Sequence, residues 1–184
     1  ALANLDSPLF TGHNYYLYLH APTGRFHFLP WDLNETFGGF FPAGSAEEQM
    51  NLSITRPFRD GNKLIDRLLA MPGKKEDFRK RFESLLAAAF SKERMFANID
   101  AIQKVIRPAV AEDPTASLEG FERSLSESPA SAPTEPRREE ARANSGQREP
   151  GRRPFGGPRP PRPPLKQFIA RRVESIRAQL DGKA

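Results

Sequence analysis

An α+β fold is expected, a mostly helical lobe carrying one β-hairpin near the start of the 184 residues. Three observations predict it. Two short runs of strand formers flank Ala21-Pro22-Thr23-Gly24. Apolar residues recur at helical spacing from Lys63 to Pro108. A further stripe of this kind follows a long stretch dominated by Pro, Ser, Glu, Arg and Gly. A period of two reads as a half-buried strand and a period near 3.6 as an amphipathic helix.

The hairpin comes first. His13-Asn14 open the run Tyr15-Tyr16-Leu17-Tyr18-Leu19. Pro22 presets one backbone angle and Gly24 accepts positive φ, which makes Ala21–Gly24 a turn. The return strand Arg25-Phe26-His27-Phe28-Leu29 alternates polar residues with Phe, and Pro30 ends it. Antiparallel strands return to their start. Asn14, at the entry, and Asp32, just past the exit, therefore belong at one end of the hairpin. Two oxygen-bearing side chains there suit Mg²⁺, which takes few protein ligands and prefers oxygen. Asp6 precedes them, beyond the Ser7–Gly12 loop. The order acid, Asn, hairpin, acid is that of a phosphoryl-transfer site in kinase-like folds, with an Asp near the acceptor hydroxyl and an Asn and a second Asp on the metal. The competing reading is structural, because Asp and Asn beside Gly and Pro are ordinary loop residues.

The run His13-Asn14-Tyr15-Tyr16-Leu17-Tyr18, with Phe28-Leu29-Pro30-Trp31-Asp32-Leu33 and Thr36-Phe37-Gly38, closely resembles the CotH kinase family, the spore-coat protein H-like atypical secreted protein kinases. The resemblance continues more loosely to about Asp113, skips the Pro-rich stretch and returns in the last helix. It implies the C-lobe of an atypical protein-kinase-like fold. It also implies ATP- and Mg²⁺-dependent (or Mn²⁺-dependent) transfer of phosphate to Ser or Thr of a protein substrate. On this resemblance Asp6 matches the catalytic-loop acid, Asp32 the metal-binding acid and Asn14 the metal-side Asn. His13 would tie down the loop by hydrogen bonding. Asn34 stands where the family often has a second Asp, which removes a charge beside the metal. A bacterial, secreted, cell-surface or spore-coat setting is implied too. A kinase also needs a phosphate-covering loop and a Lys paired to a Glu on earlier elements. Nothing before Asp6 supplies them. The sequence therefore reads as the C-terminal part of a longer protein, with the missing N-terminal part as its first partner. Alone it is expected to be inactive or nearly so.

Composition narrows the alternatives. There is no Cys, and three His make a zinc site improbable. No apolar run approaches membrane-spanning length. The net charge of +5 would suit nucleic acid, but much of the Arg lies in low-complexity sequence, so no nucleic-acid partner is expected.

Residues 1–125 read as the lobe, with the site in 1–38 and helices in 63–125. Residues 39–62 form a loop region anchored by Phe37, Phe40 and Phe41, or else the segment lining a substrate groove. One helical stripe holds Leu64, Ile65, Leu68 and Leu69, closed by Pro72-Gly73. A second holds Phe78, Phe82, Leu85, Leu86 and Ala89. A third helix, capped by Ser91, would present Met95, Ile99, Ile102 and Ile106 and end at Pro108. Ser117–Leu125 make a short helix with Leu118, Phe121 and Leu125 inward. Tyr15, Tyr16, Tyr18 and Trp31 are expected to pack on the lobe. Residues 126–163 bury too little apolar surface to offset their ordering entropy and are read as a disordered linker. A PxxP ligand at Arg159–Pro164, weak nucleic-acid contact by Arg152, Arg153 and Phe155, and phosphate acceptors at Ser124, Ser126 and Ser128 are its minor readings. The last helix spans 164–182, with Leu165, Phe168, Ile169, Val173, Ile176 and Leu180 on one stripe. It would dock on the lobe. The rival is a free helix on an anionic membrane, given Arg171, Arg172 and Arg177. Against the kinase reading stands a binding or adhesion module on the same fold, whose chemistry has lapsed.

Overall fold

The computed structural model describes residues 1–57, 61–128 and 161–183. It is a mixed structure of one two-stranded antiparallel sheet and six α-helices among these residues. Strand β1 (Tyr15–His20) pairs with β2 (Arg25–Pro30), with Tyr15 opposite Pro30 and His20 opposite Arg25. The helices are α1 (Ala46–Met50), α2 (Lys63–Ala70), α3 (Lys74–Ala87), α4 (Lys92–Glu112), α5 (Leu118–Ser124) and α6 (Leu165–Leu180).

Helix α6 is the centre of the packing. It touches α1, α3 and α4. Its Phe168, Ile169, Val173 and Ile176 are all but removed from solvent. Ile169, Val173 and Ile176 share a core with Ile54, Phe82, Leu86, Phe90 and Ile99, while Phe168 packs with Ala3 and Met50. Pro164 supplies the start, since its fixed φ of −54° suits a helix entry and it has no N–H to leave unpaired. At the far end Gly182 (φ 70°) lets the Lys183 N–H reach back to the Ala178 carbonyl at 2.8 Å.

Arg172 is the least expected member of this core. Only 1% of it is exposed. Its guanidinium donates to the carbonyls of Ala1 (3.4 Å), Met50 (3.1 Å) and Leu52 (2.5 Å). Burial pushes its pKa down to about 10, which still leaves it charged at neutral pH. A buried cation is tolerable where carbonyl dipoles replace its hydration. The reading that put Arg172 on a lipid-facing surface with Arg171 and Arg177 is therefore corrected: only the latter two point outward.

Four further expectations change. Helix α4 does not stop at Pro108 but runs through it to Glu112. Proline removes one intrahelical bond. The break lies on an exposed stretch where water can satisfy the freed carbonyl, and the Arg107–Glu122 pair (2.8 Å) ties this half of α4 to α5. The α4 stripe enters the core only in its first turns, at Met95, Phe96 and Ile99. Ile102 (59% exposed) and Ile106 face outward. The loop 39–62 contains α1, opened by a capping box: the Ser45 Oγ accepts from the Glu48 N–H at 3.2 Å and the Glu48 carboxylate accepts from the Ser45 N–H at 2.6 Å. The bond from the Ser45 N–H holds the Glu48 carboxyl below the usual range. Finally, Tyr16, Tyr18 and Trp31 do not pack on the lobe; each is more than half exposed. The hairpin projects, and nothing among the described residues covers it.

The linker readings at Arg152, Arg153, Phe155 and Arg159 lie outside the described residues. Ser126 and Arg162 do not: the Ser126 carbonyl accepts from the Gln167 N–H (3.2 Å) and Arg162 bonds to the Asn34–Glu35 turn.

Replacing Arg172 with Ala should lower unfolding free energy by about 3 kcal/mol, because it empties core volume and orphans two buried carbonyls. Urea unfolding followed by circular dichroism measures this, with Ile102→Ser expected within about 0.5 kcal/mol of the unmodified chain.

Candidate active site

The site segment is held in shape by its own backbone. Ser7 is buried, and its carbonyl accepts from the N–H groups of Phe10, Thr11 and Gly12, which folds residues 7–12 into a compact loop. The Ser7 hydroxyl donates to the Asn4 carbonyl at 2.6 Å. From the other side the Asn62 side-chain amide donates to the carbonyls of Pro8 (2.8 Å) and Leu9 (3.3 Å), while its oxygen caps α2. This loop delivers the chain from Asp6 to His13.

Asp6, His13 and Asn14 meet. The Asn14 amide nitrogen donates to the Asp6 Oδ2 at 2.9 Å and to the Asp6 carbonyl at 3.0 Å. His13 Nε2 lies 3.4 Å from the other carboxylate oxygen. The orientation of the Asn14 amide follows from its partners, because both Asp6 atoms are acceptors and only the NH₂ end can face them. Its oxygen is therefore turned away, and it makes no hydrogen bond among the described residues.

The hairpin sets the second half. The Trp31 N–H donates to the Asn14 carbonyl at 3.0 Å, one step beyond the Tyr15–Pro30 pair, so Asp32 follows directly on the residue facing Asn14. Asp32 is exposed, opens the 3-10 turn Leu33–Glu35 and caps nothing with its side chain. Among the described residues its carboxylate has no hydrogen bond or ion pair. Asn34 lies in that turn, exposed, and its carbonyl accepts a hydrogen bond from Arg162.

Asn14 (φ 59°) and Asp32 (φ 49°) both adopt the left-handed region. Asn and Asp tolerate it better than other side chains. Ala3 (φ 51°) and Phe37 (φ 57°) share it with less excuse. Among the described residues these are all the non-glycine residues with positive φ, and all lie within 1–38. Such strain persists where surroundings over-determine it and clusters at functional sites. Phe37 is over-determined. Its N–H donates to the Leu2 carbonyl at 3.0 Å, and its ring meets Phe168 edge-on with centroids 6.0 Å apart.

The described residues bring no three His, Cys, Asp or Glu side chains together as a metal cage. The Asp32 carboxylate and the Asn14 amide oxygen are hard donors of the kind Mg²⁺ prefers. A cavity of about 430 Å³ lies elsewhere, between α2, α3 and the end of α6, and none of Asp6, Asn14 or Asp32 lines it.

Comparison with known proteins follows this geometry. The sequence model described as CotH kinase protein matches residues 1–131. The chain belongs to the CotH kinase protein family. A curated relative is the inner spore coat protein H of Bacillus subtilis (strain 168), 32% identical over 102 residues, which are 55% of this chain and 27% of the relative. The chain thus spans about a quarter of the length of that CotH protein. No solved structure matches it.

Sequence reading missed two residues that shape this CotH site. Asn62 was read only as the end of a loop region; its side-chain bond to the loop after Asp6 crosses 54 residues. Arg162 lay in a stretch read as linker, and nothing local marks its contact with Asn34 and Glu35.

Asn14→Ala should destabilise the chain by about 2 kcal/mol, through lost hydrogen bonds and a strained Cβ. Asn14→Gly should cost about half as much, since it loses the bonds but not the backbone ease. Urea midpoints of the two variants separate the terms.

Proposed function

We propose that this chain carries the acceptor-side acid and the metal-holding residues of an ATP- and Mg²⁺-dependent protein Ser/Thr kinase of the CotH type, within a kinase-like C-lobe. The observation that carries the reading is the division of labour at one hairpin end. The Asn14 amide nitrogen is spent on Asp6, while its oxygen and the Asp32 carboxylate, carried at the same hairpin end, make no hydrogen bond among the described residues. Asp32 and Asn14 would hold Mg²⁺, which when bound neutralises charge on the ATP phosphates. Asp6, fixed by Asn14 and flanked by His13, keeps unused lone pairs with which to orient an acceptor hydroxyl and take its proton. Mn²⁺ is an equivalent probe, since it accepts the same oxygen ligands.

The site is open, and phosphoryl transfer needs positioning of both substrates. The apolar face of the hairpin, with Leu17, Leu19, Phe26 and Phe28 each at least half exposed, is larger than isolated surface residues explain. Polypeptide outside this chain, of which the B. subtilis relative has ample length, is the proposed cover and the proposed source of the nucleotide-gripping groups. The name of that relative supports association with a bacterial spore coat, and secretion belongs to the same reading. A second reading is a coat or surface binding module without chemistry. The uncovered aromatic hairpin and the neutral Asn34 favour it.

The deciding experiment offers labelled ATP with Mg²⁺ or Mn²⁺ to the full-length protein and a mixture of protein substrates. Label should enter Ser or Thr and fall by at least about 100-fold in Asp32→Ala, as for loss of a principal electrostatic group. No label from a folded full-length protein favours the binding module. Undiminished label in Asp32→Ala puts the site elsewhere.

A further inference from the structure

The arm that leads into α6 reaches back to the loop that leaves Asp32. Arg162 donates from one guanidinium nitrogen to the Asn34 carbonyl at 2.7 Å and from the other to the Glu35 carboxylate at 2.9 Å. Glu35 is largely shielded, with 14% of its side chain exposed. Such a forked donor fixes orientation in a way that a single point charge does not.

The glycines that follow are fitted to this arm. A Cβ on Gly39 would come within 2.9 Å of the Arg162 guanidinium carbon. A Cβ on Gly38 would meet the Phe168 ring at 3.0 Å and Pro163 at 3.2 Å. Gly38 also has φ of 82°, which an L side chain rarely adopts. The ion pair, the close approach of arm and backbone, and the Phe37–Phe168 ring contact all act on the residues immediately after Asp32.

We propose that Arg162 is a positioning residue, a clasp from the C-terminal arm that sets the conformation of the Asp32 loop. This rests on the reading of Asp32 as the metal-holding acid for its functional meaning, though not for its geometry. The clasp spans 127 residues of sequence, so α6 and the site are ordered together. A half-exposed ion pair contributes little to global stability. The effect of Arg162 should therefore appear in the loop rather than in the melting temperature.

The single tryptophan of the chain, Trp31, adjoins Asp32 and is 58% exposed, which makes it a local reporter. In the 184-residue chain, Arg162→Ala should speed amide exchange of residues 33–39 by about tenfold or more while α6 amides keep their rates. Mn²⁺ bound at Asp32 should quench Trp31, and Arg162→Ala should raise the Mn²⁺ concentration needed by about tenfold, the usual effect of losing an outer-shell support. Arg162→Lys, which keeps the charge but not the fork, should recover only part of both effects. Unchanged exchange at 33–39 in Arg162→Ala overturns the clasp. Should Arg162→Ala loosen α6 as well, Glu35→Gln decides: local acceleration at 33–39 upholds the clasp and none overturns it. If Mn²⁺ fails to quench Trp31 in the unmodified chain, the metal reading of Asp32 falls, and the exchange rates still judge the clasp.

Discussion

The seating of α6 is the constraint on which the rest depends, and the Arg172 guanidinium is its least replaceable part. The first residues of the site segment and the turn after α1 share no secondary structure. They are joined because the carbonyls of Ala1, Met50 and Leu52 converge on one buried cation. Apolar burial around Phe168, Ile169 and Ile176 supplies most of the favourable free energy, but it is non-directional. The hydrogen bonds to Arg172 choose which strands of backbone lie against the helix. Removing the cation alone leaves acceptors without donors, which costs more than the bonds contributed.

That seating explains how a short, irregular site segment holds four residues in the left-handed region. A hairpin and two loops have little capacity to store strain by themselves. Here Leu2 is bonded to Phe37, Phe37 meets the Phe168 ring edge-on, and Asn62 is bonded to the loop after Asp6. Each contact links the site to an element whose own stability comes from elsewhere. The division has a physical advantage. Asn14, Asp32 and Phe37 can hold poor backbone angles because the helical layer carries the stability.

Legibility from sequence followed the range of the interactions. The hairpin, the Ser91 cap and the α6 stripe were readable because their signals are periodic or lie within four residues. The capping box of α1 was equally local, in Ser45 and Glu48, and was overlooked in favour of the Gly and Pro around it. Asn14 and Asp32 could be placed at one hairpin end from strand geometry alone. The direction of the Asn14 amide could not, since it depends on the Ser7–Gly12 loop returning Asp6 to the hairpin. Arg172 and Arg162 were illegible for a common reason. An Arg on a helix or in a Pro-rich arm is ordinarily solvated, and only tertiary structure brings three carbonyls, or a turn with a shielded Glu35, within reach. Pro108 misled in the opposite sense, because a local stop signal was overridden by solvent exposure and by the contact with α5.

The exposed hairpin bears on how Asn14 and Asp32 are held. One face of the sheet carries Leu17, Leu19, Phe26 and Phe28, and the other carries Tyr16, Tyr18 and Leu29. A two-stranded ribbon exposed on both faces is marginal in isolation. Among the described residues its hydrogen-bonded anchor is the open end, where Asn14 meets Trp31 and Asp6. Anything that settled on the ribbon would therefore act on the backbone that carries Asn14 and Asp32. The lobe below reaches the same residues through Arg162 and Phe37. The Asn14–Asp32 pair sits at the junction of two packing systems, one present in this chain and one that the apolar ribbon invites. Covering the ribbon would be coupled energetically to the geometry of the acids even without a contact to them.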